Sequence, residues 1–280
     1  FRSVQASLDQ ALVRRFKEKI YVDLPKEDER KQYIEILLSK VKSHNVTEGA
    51  ISNIAKRTTG ESLAILKNVV EKAISDANSE GKILDDAGLL KAYEEYLYGE
   101  KKEWSQEYYN SVAIHESGHA YICSLSGEKP SFVTIESRGN FGGYMQHESA
   151  EKTPSYTRQQ LIWKIRTALA GRAAELEFFG EEAGINTGIS SDYSHATDLA
   201  LAMICRYAMD GIGMISMSPE TLLQTSRADK IMDRVDTILS EELDNTRKLV
   251  REGRDKIRAL ADYLLENNQA TEEKIQDIFS

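Results

Sequence analysis

Ile114-His115-Glu116-Ser117-Gly118-His119-Ala120 lies near the middle of the chain, and its two histidines are four residues apart. On a helix this spacing is about one turn, with a rise of about 6 Å, so both imidazoles lie on the same face. They can then bind one tetrahedral zinc ion. The flanking residues are apolar, which predicts a buried helix, and a buried histidine pair without a metal would need two other partners. The stretch therefore predicts a zinc site.

Glu116 follows the first histidine and is the predicted general base. From this position its carboxylate reaches a water beside the metal rather than the metal itself. Zinc lowers the pKa of that water, and the carboxylate takes its proton as the water attacks a peptide carbonyl. Gly118 keeps the helix surface slim where a substrate or a neighbouring strand approaches. These residue types at this spacing predict a metallopeptidase.

The residues alone leave the third protein ligand open. A metzincin would need Gly at 122 and His at 125, but the chain has Ile122 and Leu125, which excludes that class. Cys123 lies eight residues from His115, about 12 Å along the helix axis, so it is too far to share the ion and is predicted to be a core thiol. The remaining candidates are two histidines and five carboxylates: His147, His195, Glu136, Glu148, Glu175, Glu177 and Asp192.

Asp192 stands out among these candidates because of its local context. It ends the turn-rich segment Thr187–Asp192, immediately before a predicted helix at Ala196–Met209. An acidic residue at this place can ligate a metal, but it can equally cap the helix or complement its dipole. Both roles stay open on the pattern alone.

Composition limits the function class and the environment. The 280 residues are 41% hydrophobic and 29% charged, which is typical of a soluble globular protein with room for two domains. The net charge of −9 argues against a nucleic-acid partner. Two cysteines, Cys123 and Cys205, without CxxC spacing favour a reducing compartment. No apolar run approaches the roughly 20 residues that span a bilayer, so the chain as given is expected to be soluble.

The pattern along the chain predicts a mainly α fold in two domains, residues 1–97 and 98–280. The first reads as a short strand at Lys19–Leu24 followed by a bundle of helices. The second begins with the histidine helix and continues into strands near residues 132–135 and 144–146, which flank a glycine-rich turn. From Thr157 onward the pattern is almost wholly helical, with long amphipathic stretches at about 220–252 and 254–267. A small β-sheet in a mostly helical second domain is the expected result.

The second half resembles the FtsH family of membrane-bound, ATP-dependent zinc proteases. The resemblance rests on the histidine stretch, on Leu169-Ala170-Gly171-Arg172-Ala173-Ala174-Glu175 and on Gly188-Ile189-Ser190-Ser191-Asp192. It implies a zincin-type peptidase domain in which His115, His119 and Asp192 hold Zn²⁺. It also implies that Glu175 lies next to the metal ligands and contacts them rather than the metal. Ser191 stands where the family usually has Asn, which is a departure from the pattern.

The first half resembles the end of an AAA+ ATPase module, with a helical lid domain. Ile20–Pro25 and the turn Thr59-Gly60-Glu61-Ser62 carry the likeness to the lid. Arg14 and Arg15 lie in a stretch that looks like the arginine fingers, which contact the nucleotide of a neighbouring subunit. A solvated basic pair is the alternative for these two residues.

The family implies partners that the chain itself does not encode. There is no G-x-x-x-x-G-K-[ST] loop, so the chain alone is not expected to hydrolyse ATP, and ATP and Mg²⁺ would belong to an intact parent protein. Phe1 is no natural initiator, and the resemblance implies that a nucleotide-binding half and a membrane anchor lie upstream of it. The parent would be a membrane-anchored homo-hexamer with this region on the cytoplasmic side, degrading unfolded or membrane-associated polypeptides.

The strand after the glycine-rich turn is the predicted substrate-binding element. Gly142 and Gly143 end the turn and Tyr144 begins a strand that can pair with an extended peptide through its backbone, so these three residues are the predicted substrate contacts. A plain sheet edge is the equal alternative.

Two rivals to the endopeptidase differ from it in activity or in architecture. One is a proteolytically inactive, chaperone-like adaptor that retains the fold, and the intact Glu116 argues against it. The other is a free-standing zinc peptidase, which leaves the lid-like first half without an explanation.

Overall fold

A computed structural model describes residues 23–41, 43–137, 142–148, 155–183, 190–210 and 216–280. The chain divides into two compact units, residues 1–97 and 98–280. No helix among the described residues is long and apolar enough to cross a membrane.

The first unit is a small helical bundle with one short parallel strand pair. Its elements are α1 Glu27–Leu38, β1 His44–Asn45, α2 Glu48–Arg57, α3 Leu63–Ser79, β2 Leu84–Asp85 and α4 Asp86–Tyr98. Helix α2 begins with a side-chain cap, because the Thr47 hydroxyl accepts a hydrogen bond from the Ala50 amide at 3.2 Å. The apolar side chains that recur at helical spacing form the core, including Ile34, Leu38, Leu66, Val70, Leu89 and Tyr93.

Among the described residues of this unit, Arg30 is the one charged residue that is buried. Its guanidinium donates to the carbonyls of Ala55 at 2.8 Å and Pro25 at 2.6 Å, and to the Thr59 hydroxyl at 3.1 Å. These bonds tie the start of α1 to the end of α2. The predicted strand Lys19–Leu24 lies mostly outside the described residues, and its last two residues, Asp23 and Leu24, are not in a strand.

The second unit is mostly helical around a three-stranded sheet. Its elements are α5 Gln106–Leu125, β3 Lys129–Thr134, β4 Tyr144–Glu148, α6 Arg158–Ala183, α7 Ser190–Leu201, a π-helical turn Ala202–Arg206, α8 Pro219–Leu222, α9 Ala228–Glu252, α10 Arg254–Asn267, β5 Gln269–Thr271 and α11 Glu272–Phe279. Helix α6 is kinked near its end at Gly180, where a φ of +77° suits glycine. The mainly α fold with a small sheet is confirmed.

The sheet has the order β4-β3-β5, and both pairings are antiparallel. The central strand β3 places Val133 opposite Met145 on one side and Ala270 on the other. Strand β5 was not predicted, because the pattern after Thr157 reads as almost wholly helical. Three residues are too short for a strand period to show between two amphipathic helices, and their pairing with β3 comes from tertiary contact.

The core of the second unit lies where α5 packs against α6 and α10. Ile114, Ile122, Leu260 and Leu264 are fully buried there, as are the small residues Ala170, Ala173 and Ala174 of α6. The small residues allow a close approach of the helices, so that a Cβ added to Gly118 would lie 2.6 Å from Ala174 Cβ and 2.9 Å from the Ala170 carbonyl oxygen. Gly118 therefore serves the helix crossing, rather than a neighbouring strand or a substrate as the sequence suggests.

Candidate metal centre

Three donor atoms from two distant parts of the chain converge on one point. His115 Nε2 lies 3.0 Å from His119 Nε2, and Asp192 Oδ2 lies 3.0 Å from the first and 3.2 Å from the second. The two histidines are one turn apart on α5, and the aspartate is in the first turn of α7. The three predicted ligands therefore form a compact triangle of two nitrogens and one carboxylate oxygen.

The outer nitrogens of both rings are already engaged by acceptors. His119 Nδ1 lies 2.7 Å from the Thr167 carbonyl oxygen, and His115 Nδ1 lies 3.1 Å from Glu175 Oε1. A carbonyl or carboxylate oxygen can only accept, so each Nδ1 carries the hydrogen and donates it. Each Nε2 is then left with a lone pair, which is the form that binds a metal.

The donor set fits zinc. Ligand atoms at 2.0–2.2 Å from a tetrahedral zinc ion lie roughly 3.3–3.6 Å from one another. The observed separations of 3.0–3.2 Å are slightly shorter and need only a small expansion. Two lone pairs and a carboxylate that face one another repel unless a cation lies between them.

The electrostatics of the cluster favour positive charge at its centre. Burial alone would lower the pKa of His115, but its hydrogen bonds to Asp192 and Glu175 outweigh burial and raise the pKa to about 10. With no ion bound, Nε2 of His115 therefore takes up a proton, and a metal ion that binds here displaces that proton and restores the lone pair. Burial would raise the pKa of Asp192, but hydrogen bonds to His115 and His119 hold it well below its usual range. The site therefore keeps its aspartate ionised and attracts a cation.

Glu116 lies next to His115 on α5 and lines the same cleft as the three predicted ligands. It is 7% exposed, and burial raises the pKa of its carboxyl group despite the opposing effect of the two histidines. A carboxylate with a raised pKa is better suited to take up a proton at neutral pH than an exposed one. Its placement fits the predicted role of general base.

Helix α6 packs against the imidazole of His115 through Gly171 and provides the acceptor Glu175 for its Nδ1 hydrogen. Glu175 is buried, and it lies one turn beyond Gly171, whose missing side chain leaves room for the imidazole of His115. A Cβ at position 171 would overlap that ring. The sequence singled out Glu175 but not the space that Gly171 provides.

Several carboxylates that the sequence left open have other partners. Glu177 pairs with Arg247 at 2.6 Å and Arg251 at 3.1 Å, and Glu136 pairs with Lys101 at 2.9 Å.

The sequence predicts a helix that begins at Ala196, after Asp192. This start is wrong, because α7 already begins at Ser190 and includes Asp192 in its first turn. The aspartate is thus held by helical backbone rather than by a loop. The side chain of Glu148 lies outside the described part of the chain.

The cleft in front of the site has a volume of about 720 Å³ and includes the start of β4. Gly142, Gly143 and Tyr144 all line it, together with His195. A Cβ at Gly143 would lie 2.6 Å from the Thr134 carbonyl oxygen and 3.2 Å from Glu116 Cγ, so this glycine lets the strand approach the predicted base. Strand β4 is the outer strand of the sheet on this side.

Tyr144 has a second role. Its ring stacks on that of Tyr98, which is the first residue of the second unit, with centroids 4.4 Å apart, and this contact anchors the first residue of β4. Thr167 was missed by sequence reasoning, and no side-chain signal could reveal it, because only its backbone carbonyl contacts His119.

Arg14 and Arg15 lie outside the described residues, and their contact with a neighbouring nucleotide stays a prediction.

Comparison with known proteins places these features in context. The profile of peptidase family M41 matches residues 102–278. The chain is 31% identical to the ATP-dependent zinc metalloprotease FtsH of Mycoplasmopsis pulmonis, covering 97% of this chain and 40% of that protein. It is also 31% identical to the protein of the same name from Nitrosococcus oceani, over 97% of this chain and 45% of the relative. The chain thus spans less than half of the length of these relatives.

Proposed function

The chain belongs to peptidase family M41, and we propose that it is a zinc-dependent endopeptidase whose metal is held by His115, His119 and Asp192. The observation that carries the proposal is the convergence of two lone-pair nitrogens and one ionised carboxylate oxygen within 3.2 Å of one another. The relatives are named zinc metalloproteases, which supports the choice of ion.

Zinc at this site would act as a Lewis acid that makes water more acidic and polarises a peptide carbonyl. Glu116 would accept the proton of the attacking water and later deliver it to the leaving amine. Its burial and raised pKa suit both steps, because the carboxyl group can hold the proton between them.

Glu175 and Thr167 would orient the two rings. Each accepts the Nδ1 hydrogen of one histidine, which keeps the Nε2 lone pair directed at the metal. Both acceptors belong to α6, so this single rigid helix fixes the orientation of both rings.

An extended polypeptide would bind along β4. The strand lies at the edge of the sheet, and Gly142 and Gly143 line the cleft beside Glu116. Backbone pairing with such an edge is independent of sequence, which suits an enzyme that degrades unfolded or membrane-associated polypeptides.

ATP would drive the delivery of substrate in a longer protein. The relatives are named ATP-dependent, and they align with the first unit as well as the second. We propose that the first unit is the helical lid of an AAA+ module in a membrane-anchored homo-hexamer, with this region on the cytoplasmic side. ATP and Mg²⁺ would bind only in that longer protein.

Elemental analysis for zinc, paired with cleavage of unfolded casein, tests the proposal. We expect at least one zinc per chain in the wild type. Asp192→Ala should lose one equivalent of zinc together with the activity, whereas Glu116→Gln should retain the wild-type zinc content and lose cleavage. Asp198→Asn is the matched control, because Asp198 is an exposed residue on the same helix and should change neither quantity.

Two results would contradict parts of this assignment. A zinc content in Asp192→Ala equal to that of the wild type would move the third ligand elsewhere. Zinc without cleavage in the wild-type chain, assembled as a hexamer, would favour the inactive adaptor.

A further inference from the structure

A second cluster of metal-binding side chains lies one helical turn beyond His119. Cys123, Glu128 and His147 each offer one ligand atom, and these three atoms lie within 4.8 Å of one another. They come from α5, from the residue before β3, and from β4. The fold therefore brings a thiol, a carboxylate and an imidazole together from three separate elements.

We propose that Cys123, Glu128 and His147 form a second metal site, for a divalent ion of zinc-like character. Sulfur, nitrogen and oxygen ligands together select borderline ions such as Zn²⁺ or Co²⁺ over Mg²⁺ or Ca²⁺. The spacing of two ligand atoms fits, since His147 Nδ1 and Glu128 Oε2 are 3.1 Å apart, close to the separation of two ligands on one tetrahedral zinc, and the Cys123 sulfur lies within 4.8 Å of both.

Lys164 pairs with one oxygen of the Glu128 carboxylate and leaves the other oxygen available to bind a metal. Its ammonium group lies 3.1 Å from Glu128 Oε1, which leaves Oε2 directed at His147. A ligating carboxylate commonly has its second oxygen hydrogen-bonded in this way, which fixes the orientation of the first. The positive charge of Lys164 also offsets the two negative charges of a thiolate and a carboxylate.

The site is reached from the cleft of the first metal centre. Glu128, His147 and Lys164 line that cleft, and Cys123 is fully buried behind them. Burial raises the pKa of the Cys123 thiol to about 12, so an ion that binds here displaces the thiol proton. A fourth position would face the cleft and remain open to water or to a substrate group.

The sequence analysis excluded Cys123 as a ligand of the first ion, because of its distance from His115, and predicted a core thiol. It stands four residues after His119, on the same face of α5. The His115, His119 and Cys123 positions therefore form one stripe that serves two neighbouring sites.

Cobalt titration of the full chain under reducing conditions tests the second site, because a thiolate bound to Co²⁺ gives a charge-transfer absorption in the near ultraviolet. We expect two equivalents in the wild type, with this absorption. Cys123→Ala should bind one equivalent and lose the absorption, while Cys205→Ala, which removes the other buried cysteine, should retain both.

His147→Ala guards against a folding artefact, because His147 is exposed and Cys123 is not. It should weaken the thiolate-linked equivalent at least about tenfold. No thiolate absorption in the wild type would overturn the proposal, as would an absorption that survives Cys123→Ala or an unchanged affinity in His147→Ala.

The readout also separates this proposal from the peptidase site. Asp192→Ala should remove the equivalent that gives no thiolate absorption and leave the other in place. If the first centre bound no metal at all, the Cys123-dependent equivalent would still be measured by itself.

Discussion

His119 donates its Nδ1 hydrogen to the backbone carbonyl of Thr167, 2.7 Å away, and this bond between α5 and α6 determines which nitrogen of the ring faces the metal site. The acceptor is a backbone atom inside a helix, so no rotamer change can move it. Glu175 does the same for His115 through a side chain. The rings of the two predicted ligands are thus oriented by one helix, with one backbone and one side-chain acceptor.

Replacing Glu175 with glutamine should weaken zinc binding without unfolding the protein. The amide retains a hydrogen-bond acceptor for His115 but lacks the negative charge that makes the ring a better ligand. We expect a loss of about 10- to 100-fold in zinc affinity, measured by competition with a chromogenic chelator. Glu177→Gln, on the same helix but paired with Arg247, should leave the affinity unchanged. Equal affinities in the two variants would contradict a role for Glu175 at the metal.

Gly171→Ala should displace the imidazole of His115. The added methyl group would overlap the ring, and crowding of this kind typically costs about 1–3 kcal/mol. Zinc affinity and the urea midpoint of the second unit should both fall. Gly49→Ala is the control, because the new Cβ would lie 3.6 Å from Thr47 Oγ1, an ordinary contact in a helix. A Gly171→Ala variant with normal zinc affinity would show that the ring can move without loss.

Asp210 should make stability depend on acid pH. Burial would raise the pKa of its carboxyl group, but hydrogen bonds from Arg234 and Arg158 outweigh burial and lower it. Folding therefore favours the ionised form. The stabilisation is complete above the ordinary pKa of about 3.9, and it is lost as the pH falls through the lower pKa of the folded state.

The free energy of unfolding of Asp210→Asn, measured by urea against pH, checks this dependence. At pH 7 we expect the variant to be less stable than the wild type by roughly 1–3 kcal/mol, since two arginines lose a charged partner. The difference should shrink as the pH falls below about 4. Asp198→Asn should show no such difference at any pH, and a constant deficit for Asp210→Asn would point to packing instead of charge.

Ile114→Ala should destabilise the helix that carries the histidines. Ile114 is fully buried in the core between α5, α6 and α10, and a cavity of this kind costs about 2–5 kcal/mol. Urea unfolding of the second unit measures the loss. Met232→Ala on α9 removes a side chain that is 45% exposed and should cost far less. Similar losses for both variants would mean that the core does not depend on this residue.

The helices of both units were largely predictable from apolar spacing, and so was the pair of strands β3 and β4. The strand β5 was not, because Gln269–Thr271 carries too few residues to show a period of two. The start of α7 was also placed too late, since Ser190 and Ser191 read as turn residues, while in the fold they form its first turn.

The residues alone were enough to place His115, Glu116 and His119 at one site, because helix geometry brings positions one turn apart together wherever the helix lies. They could not choose among seven candidates for the third ligand, and only the resemblance to the FtsH family favoured Asp192. Asp192 is 73 residues from His119, and its carboxylate reaches the histidines through the packing of α7 and α6 in the second unit. The contact between the Thr167 carbonyl and His119, and the cluster of Cys123, Glu128 and His147, also depend on tertiary packing. Such contacts join residues that are far apart in the chain, and the local sequence around one residue does not reveal which distant residue will contact it.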